Sequence, residues 1–410
     1  MLYITTKYLK PGMILAKDLY LYSSNNFCSL MLVKGQVLNN TYINRIKYHK
    51  IEGVYIESEA FSDINIEPYI SDNLKTKALK EIRDTYYEFK LSSGKVSPYM
   101  IKKLSSIVNN IVTELLHKDS LAYNVIDFKN YDTYTFQHCL NSAILSISTG
   151  ISLGLSEQRL NELGLAGMLH DIGKMLIPKE ILNKPGKLTN EEYEIIKEHP
   201  VNATKQLKYL VSTEVLRAIE DHHEKIDGTG YPHGKSNNNI NFYAKILSIS
   251  DVYDALTSDR PYRKSVFPNE VVEYLMGCGD KHFDYEILQH FMKIIVAYPV
   301  GTFVKLSNNQ LAVVIRNYPE NVSRPLVRII NDDGTVGEDI DLLHDTEYMD
   351  ITVVDMGYNY ENSGLTNVLK SSIDFNQQYA YGQKKNPAQQ NEQRLLGGMG
   401  FENPNNDKEL

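Results

Sequence analysis

Residues 163–174 read LGLAGMLHDIGK, an apolar run, Leu163–Leu169, that ends without transition in His170-Asp171. An imidazole and a carboxylate at the end of a core-facing helix are costly to bury unless they are paired or bind a metal. The stretch 243–256, YAKILSISDVYDAL, repeats the conflict. There an apolar helix carries Asp251 and Asp254 three residues apart, on one face. Two inward carboxylates on a core helix call for a cation. Both stretches predict a mainly α fold whose chemistry sits inside the helical core.

Around them, from about 131 to 298, apolar residues recur at helical spacing through Ile144–Leu155, Leu160–Leu169, Tyr193–Ile196, Leu207–Ile219 and Tyr243–Leu256. The same block holds His138, His199 and the pair His222-His223. With His170, Asp171 and Asp251 these are competent ligands for first-row metals. Singly, each is an ordinary surface residue; in one apolar helical block they are not. Adjacent helical residues point roughly 100° apart, so His222 and His223 suit two metals, or one metal and a substrate. A carboxylate such as Asp171 can use both oxygens and is the natural bridge. Two ions about 3.5–4 Å apart clamp both oxygens of a phosphoester displacement and make hydroxide available near neutral pH. Lys174, three residues after Asp171, is placed to meet a phosphate or a leaving oxygen. Asp171 and Lys174 are therefore the expected catalytic residues, and Asp254 is expected on the substrate side.

Directly after the paired histidines, 224–232 read EKIDGTGYP. Asp227, Gly228 and Gly230 predict a tight loop with positive-φ positions, and Tyr231 offers a flat face. Its place after two ligands predicts a substrate loop. Arg260 and Arg263 add two guanidiniums, which match phosphate bidentately and stack on bases.

Beyond this block the signals are structural. Residues 1 to about 70 predict a small mixed α/β accessory or regulatory domain, with strands at Met31–Val33 and Val54–Ile56 and a helical piece at Tyr42–Tyr48. Residues 71–120 predict two linker helices broken near Ser92–Ser97. In the second, Ile101, Leu104, Val108, Ile111 and Leu115 form an apolar stripe. It packs within the chain or pairs with a second copy as a homodimer seam. Residues 121–298 then form the helical domain. Residues 299–356 predict a small β extension, with Phe303–Leu306, Ala312–Ile315 and Leu326–Ile330 as strands and Asp333-Gly334 as a turn. Residues 357–410, rich in Asn, Gln and Gly, predict a disordered tail.

A net charge of −8 without a long basic cluster argues against a nucleic-acid polymer as partner. The cysteines, Cys28, Cys139 and Cys278, lack CxxC spacing, which excludes a zinc knuckle and fits a reducing compartment. No apolar run approaches the roughly 18 residues that span a membrane, and the start of the chain has no signal-peptide layout. A cytoplasmic protein without membrane insertion is expected.

Five segments carry a family likeness: YDTYTFQHCLN (131–141), HDIGKMLIPKEILNKPGKLTNEE (170–192), KEHP (197–200), DHHEKIDGTGYP (221–232) and SDVYDALTSDRPYR (250–263). In order and spacing they resemble the HD-GYP group of HD metal-dependent phosphohydrolases. The resemblance implies an all-helical HD-GYP core in which His138, His170, Asp171, His199, His222, His223 and Asp251 are the metal ligands. Asp171 matches the bridging carboxylate and Lys174 the lysine that approaches the scissile phosphate. Tyr231 matches a residue near a guanine base, and Arg260 and Arg263 match cations on substrate phosphates or bases. Family members hydrolyse cyclic di-GMP to linear pGpG, some onward to GMP, with iron or manganese, mostly in pairs. Some members hold a third ion through a Glu four residues before the first His. Tyr134 stands there, so two divalent ions, iron or manganese, are expected. Cys139 stands where Ser is usual and Ala203 where Gly is frequent; neither removes a ligand. Gly301–Leu306 resembles the start of a β extension in some members, and Lys10–Met13 the small domain that often precedes them.

The implied function is hydrolysis of cyclic di-GMP by a hydroxide bridging two metal ions, without a covalent intermediate, lowering a bacterial second messenger. Two alternatives stay open. The substrate is a related cyclic dinucleotide such as cyclic GMP-AMP, or the chain is a non-catalytic cyclic di-GMP sensor or docking module. Retention of every ligand favours the enzyme. No signalling partner, such as a diguanylate cyclase, is identified.

Overall fold

A computed structural model describes residues 1–21, 29–118, 121, 134–184, 186–258 and 265–356. Cys28, Arg260, Arg263 and the segment from 357 onward lie outside the described residues.

The first unit comprises β1 (Leu2–Thr5), β2 (Leu19–Leu21), β3 (Ser29–Leu32), α1 (Asn40–Tyr48) and β4 (Gly53–Ile56). β1 pairs antiparallel with β4, and β2 with β3. Asn39 starts α1 by accepting from the Tyr42 N–H at 2.8 Å, which satisfies one of the free donors of the first turn. Ile43 and Ile46 then face a core with Leu2, Ile4, Met13, Val54 and Ile56.

α2 (Asp72–Leu91) and α3 (Pro98–Leu116) follow. They are not linkers. Leu104, Val108 and Ile111 of the α3 stripe are completely buried, in one core with Leu140 and Ile147 of α4 (Tyr134–Ser152) and Leu163 of α5 (Glu157–Leu169). The stripe is therefore covered within the chain and is not the seam to a second copy. Helices of this length are marginal alone in water, and the shared core supplies the missing packing. α4 and α5 cross closely because Gly167 has no side chain: a Cβ there would stand 2.6 Å from Ala143 Cα. That crossing sets His138, on α4, beside His170, the residue after α5, with ring centroids 5.2 Å apart.

The helical unit continues through α6 (Lys179–Leu182), α7 (Asn190–Lys197), α8 (His199–Leu207), α9 (Thr213–Asp221), α10 (Phe242–Thr257), α11 (Pro268–Gly277) and α12 (Tyr285–Met292). The run Leu207–Ile219 is split, because Ser212 caps a new helix by accepting from the Val215 N–H at 3.3 Å. Among the described residues no helix is long and apolar enough to cross a membrane.

Last come β5 (Phe303–Leu306), β6 (Leu311–Arg316), β7 (Leu326–Ile330), β8 (Val336–Asp341) and β9 (Val353–Met356), one antiparallel sheet ordered β8-β7-β6-β5-β9. The sequence reading makes this a terminal extension; the structure makes it a middle layer. Side chains alternate along a strand. Ala312 and Val314 of β6 join the helical core, while Leu311 and Val313 join the core of the first unit. Val304 and Phe303 of β5 divide the same way. Arg328 of β7 adds a tie to the first unit, meeting Asp63 at 3.0 and 2.8 Å.

Candidate metal centre

Five helices deliver side chains to one buried point. α4 brings His138, the end of α5 brings His170-Asp171, the α7–α8 junction brings His199, the end of α9 brings His222-His223, and α10 brings Asp251. Three of these histidines sit at helix ends, where last-turn carbonyls have no intrahelical partner. Each ring turns Nδ1 back onto the carbonyl three residues earlier: His170 to Gly167 at 2.8 Å, His199 to Ile196 at 2.8 Å and His222 to Ile219 at 2.6 Å. Those contacts make Nδ1 the N–H donor and leave Nε2 with its lone pair. The Nε2 atoms of His170, His199 and His222 are buried without a hydrogen-bond partner. Imidazole lone pairs converging in a buried space beside carboxylates are the donor set a divalent cation takes.

The donors fall into overlapping sets. His138 Nε2 stands 3.0 Å from Asp251 Oδ1 and 3.8 Å from Asp171 Oδ2. His170 Nε2 stands 3.6 Å from Asp171 Oδ2 and 3.9 Å from Asp251 Oδ1. The other Asp171 oxygen faces His199 Nε2 at 3.5 Å. His199, His222 and His223 form a second cluster, with ligand atoms within 4.8 Å of one another. Asp251 Oδ2 lies 3.7 Å from His223 Nδ1. Ligands bound about 2.1 Å from one ion stand roughly 3–3.5 Å apart, close to the spacing of these pairs.

Protonation follows from burial and charge. Burial holds His170, His199 and His223 below the ordinary histidine range and takes His222 down to about 4. Burial acts the same way on His138, but hydrogen bonds with Asp251 and Asp254 outweigh it and raise its pKa to about 9. Burial pushes Asp171 up, yet Lys174 and then His170 and His199 hold its carboxyl well below the usual carboxylate range. For Asp251 the opposing influence is again burial, overcome first by the His138 hydrogen bond. Neutral imidazoles and ionised carboxylates are the forms that bind metal, so His138 would give up its proton to an incoming cation while the other rings are already neutral.

The remaining expected residues are placed differently. Lys174 Nζ meets the Asp171 carboxylate at 2.7 Å. Tyr231 lies over His223, ring centroids 4.6 Å apart and planes 31° apart, with Lys197 Nζ 5.9 Å from its centroid. Asp254, read from sequence as a substrate contact, is 1 % exposed and turned away. Its Oδ2 meets His138 Nδ1 at 2.7 Å and its Oδ1 accepts from Asn141 Nδ2 at 2.7 Å. The Asp227 carboxylate accepts from the Thr229 N–H and hydroxyl at 2.9 and 2.7 Å and so folds the loop. Gly228 has φ +80°, as the turn requires, but Gly230 does not need positive φ; a Cβ there would stand 2.4 Å from Glu224 Cα.

Sequence reasoning missed the residues that pin this loop. Glu224, 2 % exposed, accepts from the backbone N–H groups of His233 and Lys235 at 2.7 and 2.9 Å. Asp221, equally buried, accepts from Lys235 Nζ at 2.6 Å and Asn241 N–H at 3.2 Å. Two acids flanking the paired histidines were the available signal. Asn141, on the His138 face of α4, had none.

A helical unit with this histidine–aspartate centre matches one family model: residues 132–287 match the HD domain. The segment is an HD domain, a metal-dependent class, with His/Asp clusters that can bind metals. Over that segment the chain is similar to curated cyclic-dinucleotide phosphodiesterases. A cyclic di-GMP phosphodiesterase of Pseudomonas aeruginosa is 38% identical over 227 residues, 55% of this chain and 55% of that one. Cyclic di-GMP phosphodiesterase PdeB of Borreliella burgdorferi is 32% identical over 204 residues, 50% of this chain and 54% of that one. 3'3'-cGAMP-specific phosphodiesterase 1 of Vibrio cholerae is 37% identical over 187 residues, 45% of this chain and 42% of that one. The chain spans about half the length of these curated relatives.

Proposed function

We propose that this chain is a cyclic-dinucleotide phosphodiesterase that hydrolyses cyclic di-GMP to pGpG at a centre for two divalent ions, iron or manganese, in the bacterial cytoplasm. The observation that carries the reading is Asp171, whose two oxygens face separate sets of imidazoles, Oδ2 toward His138 and His170 and Oδ1 toward His199. Two divalent ions, when bound, supply Lewis acidity and lower the pKa of water. His138, His170, Asp171 and Asp251 would hold one, and Asp171 with His199, His222 and His223 the other. Lys174, already on the Asp171 carboxylate, supplies a fixed positive charge beside the reacting phosphate. Tyr231 presents its ring at the centre's edge for a nucleobase, while burial keeps its phenol protonated. Arg260 and Arg263 remain proposed phosphate contacts. The domain division at 70, 298 and 356 goes with this reading, with α2 and α3 inside the helical unit, although the middle sheet binds the units together.

The relatives also favour a second substrate. The Vibrio cholerae protein specific for 3'3'-cGAMP is almost as similar as the Pseudomonas aeruginosa cyclic di-GMP enzyme, at 37% against 38% identity. The test is anaerobic purification of the full chain, elemental analysis, and turnover of both nucleotides in competition with manganese supplied. Asp171→Ala is expected to abolish turnover and reduce ion content. Full activity in metal-replete Asp171→Ala protein sinks the reading.

A further inference from the structure

Of the buried imidazoles that bind through Nε2, three are backed by neutral backbone carbonyls, as the Nδ1 contacts of His170, His199 and His222 show. His138 alone is backed by a carboxylate, Asp254, at 2.7 Å. That carboxylate is itself held. Asn141, one turn along α4 from His138, donates to Oδ1 at 2.7 Å, and Ser258 Oγ lies 3.4 Å from the same oxygen. Asp254 is 1 % exposed, so its charge is little screened by water. A carboxylate on the rear nitrogen fixes the ring's tautomer and raises the basicity of the front nitrogen.

The two sides of the centre differ in a second respect. His138 and His170 each have both Asp171 Oδ2 and Asp251 Oδ1 within 3.9 Å. The His199 side is richer in imidazole, with His199, His222 and His223 together, and there the carboxylate contacts are Asp171 Oδ1 to His199 at 3.5 Å and Asp251 Oδ2 to His223 at 3.7 Å. A cation is therefore favoured more on the His138 side than on the His199 side.

We propose that the two ion positions are inequivalent: Asp254 acts as a positioning residue that makes the His138 side the tighter one, so the chain loads one divalent ion there first and fills the His199 side only at higher metal concentration. The proposal rests on the two-ion reading above and adds an order of loading, which would make full occupancy sensitive to metal supply.

The experiment is calorimetric titration of Mn²⁺ alone into the metal-stripped full-length chain. Two binding events are expected, with dissociation constants at least about tenfold apart. Asp254→Asn keeps the shape and an acceptor but removes the charge. It is expected to weaken the tighter event by about 10–100-fold, the usual range for a partner behind a metal ligand, and leave the weaker event within about threefold. His223→Ala, at a ring 21% exposed and so tolerant of truncation, is expected to weaken only the weaker event. This arm holds even if Asp254→Asn fails to fold. Two equal events in wild type, an unchanged tight event in Asp254→Asn, or a loss shared by both events in either variant would overturn the proposal. Two equal events in a protein that still turns over cyclic di-GMP would leave the phosphodiesterase reading intact. Absence of any ion binding would end both.

Discussion

Alanine at Gly173 tests whether the centre is held by main-chain packing. Gly173 lies in the 3-10 turn Ile172–Leu176, against the start of α8. A Cβ built there would stand 2.0 Å from the His199 carbonyl oxygen and 3.0 Å from Ala203 N. Real Cβ contacts essentially never fall below 3.0 Å, so the α8 backbone must recede by at least 1.0 Å, the difference between 3.0 and 2.0. The obstacle is a backbone carbonyl and cannot rotate aside. His199 moves with it, and its Nε2 is 3.5 Å from Asp171 Oδ1. Overpacking of this kind costs about 1–3 kcal/mol, and a 1 Å misplacement in an active site costs on the order of 100-fold in rate. Gly173→Ala is expected to retain its helical circular dichroism and melt about 2–12 °C lower. It should also bind fewer ions than wild type and turn over cyclic di-GMP about 100-fold more slowly. Calorimetry, elemental analysis and a manganese-supplemented assay read these out. A variant with wild-type ion content and turnover would refute the reasoning.

Acid should destabilise the chelator-treated protein. Burial lowers His222 to about 4 from 6.5, so between those values the unfolded chain binds protons that the folded one does not, and stability falls as pH drops through that window. The loss is about 3 kcal/mol for His222 alone, with His170, His199 and His223 adding in the same direction. His138, raised to about 9 from 6.5, acts oppositely: its contribution is present below 6.5 and lost as pH rises through 9. Urea unfolding across this range that shows no decline below pH 6.5 would contradict the assignment of neutral rings. In α3, Ile111→Ala should cost about 2–5 kcal/mol, the range for a fully buried Ile. An unchanged urea midpoint would mean that α3 is not part of the helical core.

The ligand kinds were legible without coordinates. His170-Asp171 at the end of an apolar run, and Asp251 inside one, conflict with burial unless a cation resolves it, and that conflict is written in adjacent residues. Helix and strand periods were legible for the same reason, since they depend on near neighbours. The run Ala312–Ile315 was legible as a strand, but its period carries no record of which units lie on either side. The structure places the helical core against Ala312 and the first unit against Leu311.

Direction required the packed chain. Asp251 and Asp254 share a helix face, yet residues three apart point about 60° from each other. That difference sends Asp251 into the donor cluster and Asp254 against His138 on α4. Residue type within one apolar helical block likewise gathered His199, His222 and His223 as ligands, but which Asp171 oxygen each set faces depends on how α5 packs on α4 and how the turn Ile172–Leu176 packs on α8. Residue type and local repeat established what the chain could bind and that it would be mostly helical. The aim of each donor atom was decided by contacts between segments far apart in sequence, because a side chain's direction is the sum of its helix's phase and that helix's placement against its neighbours.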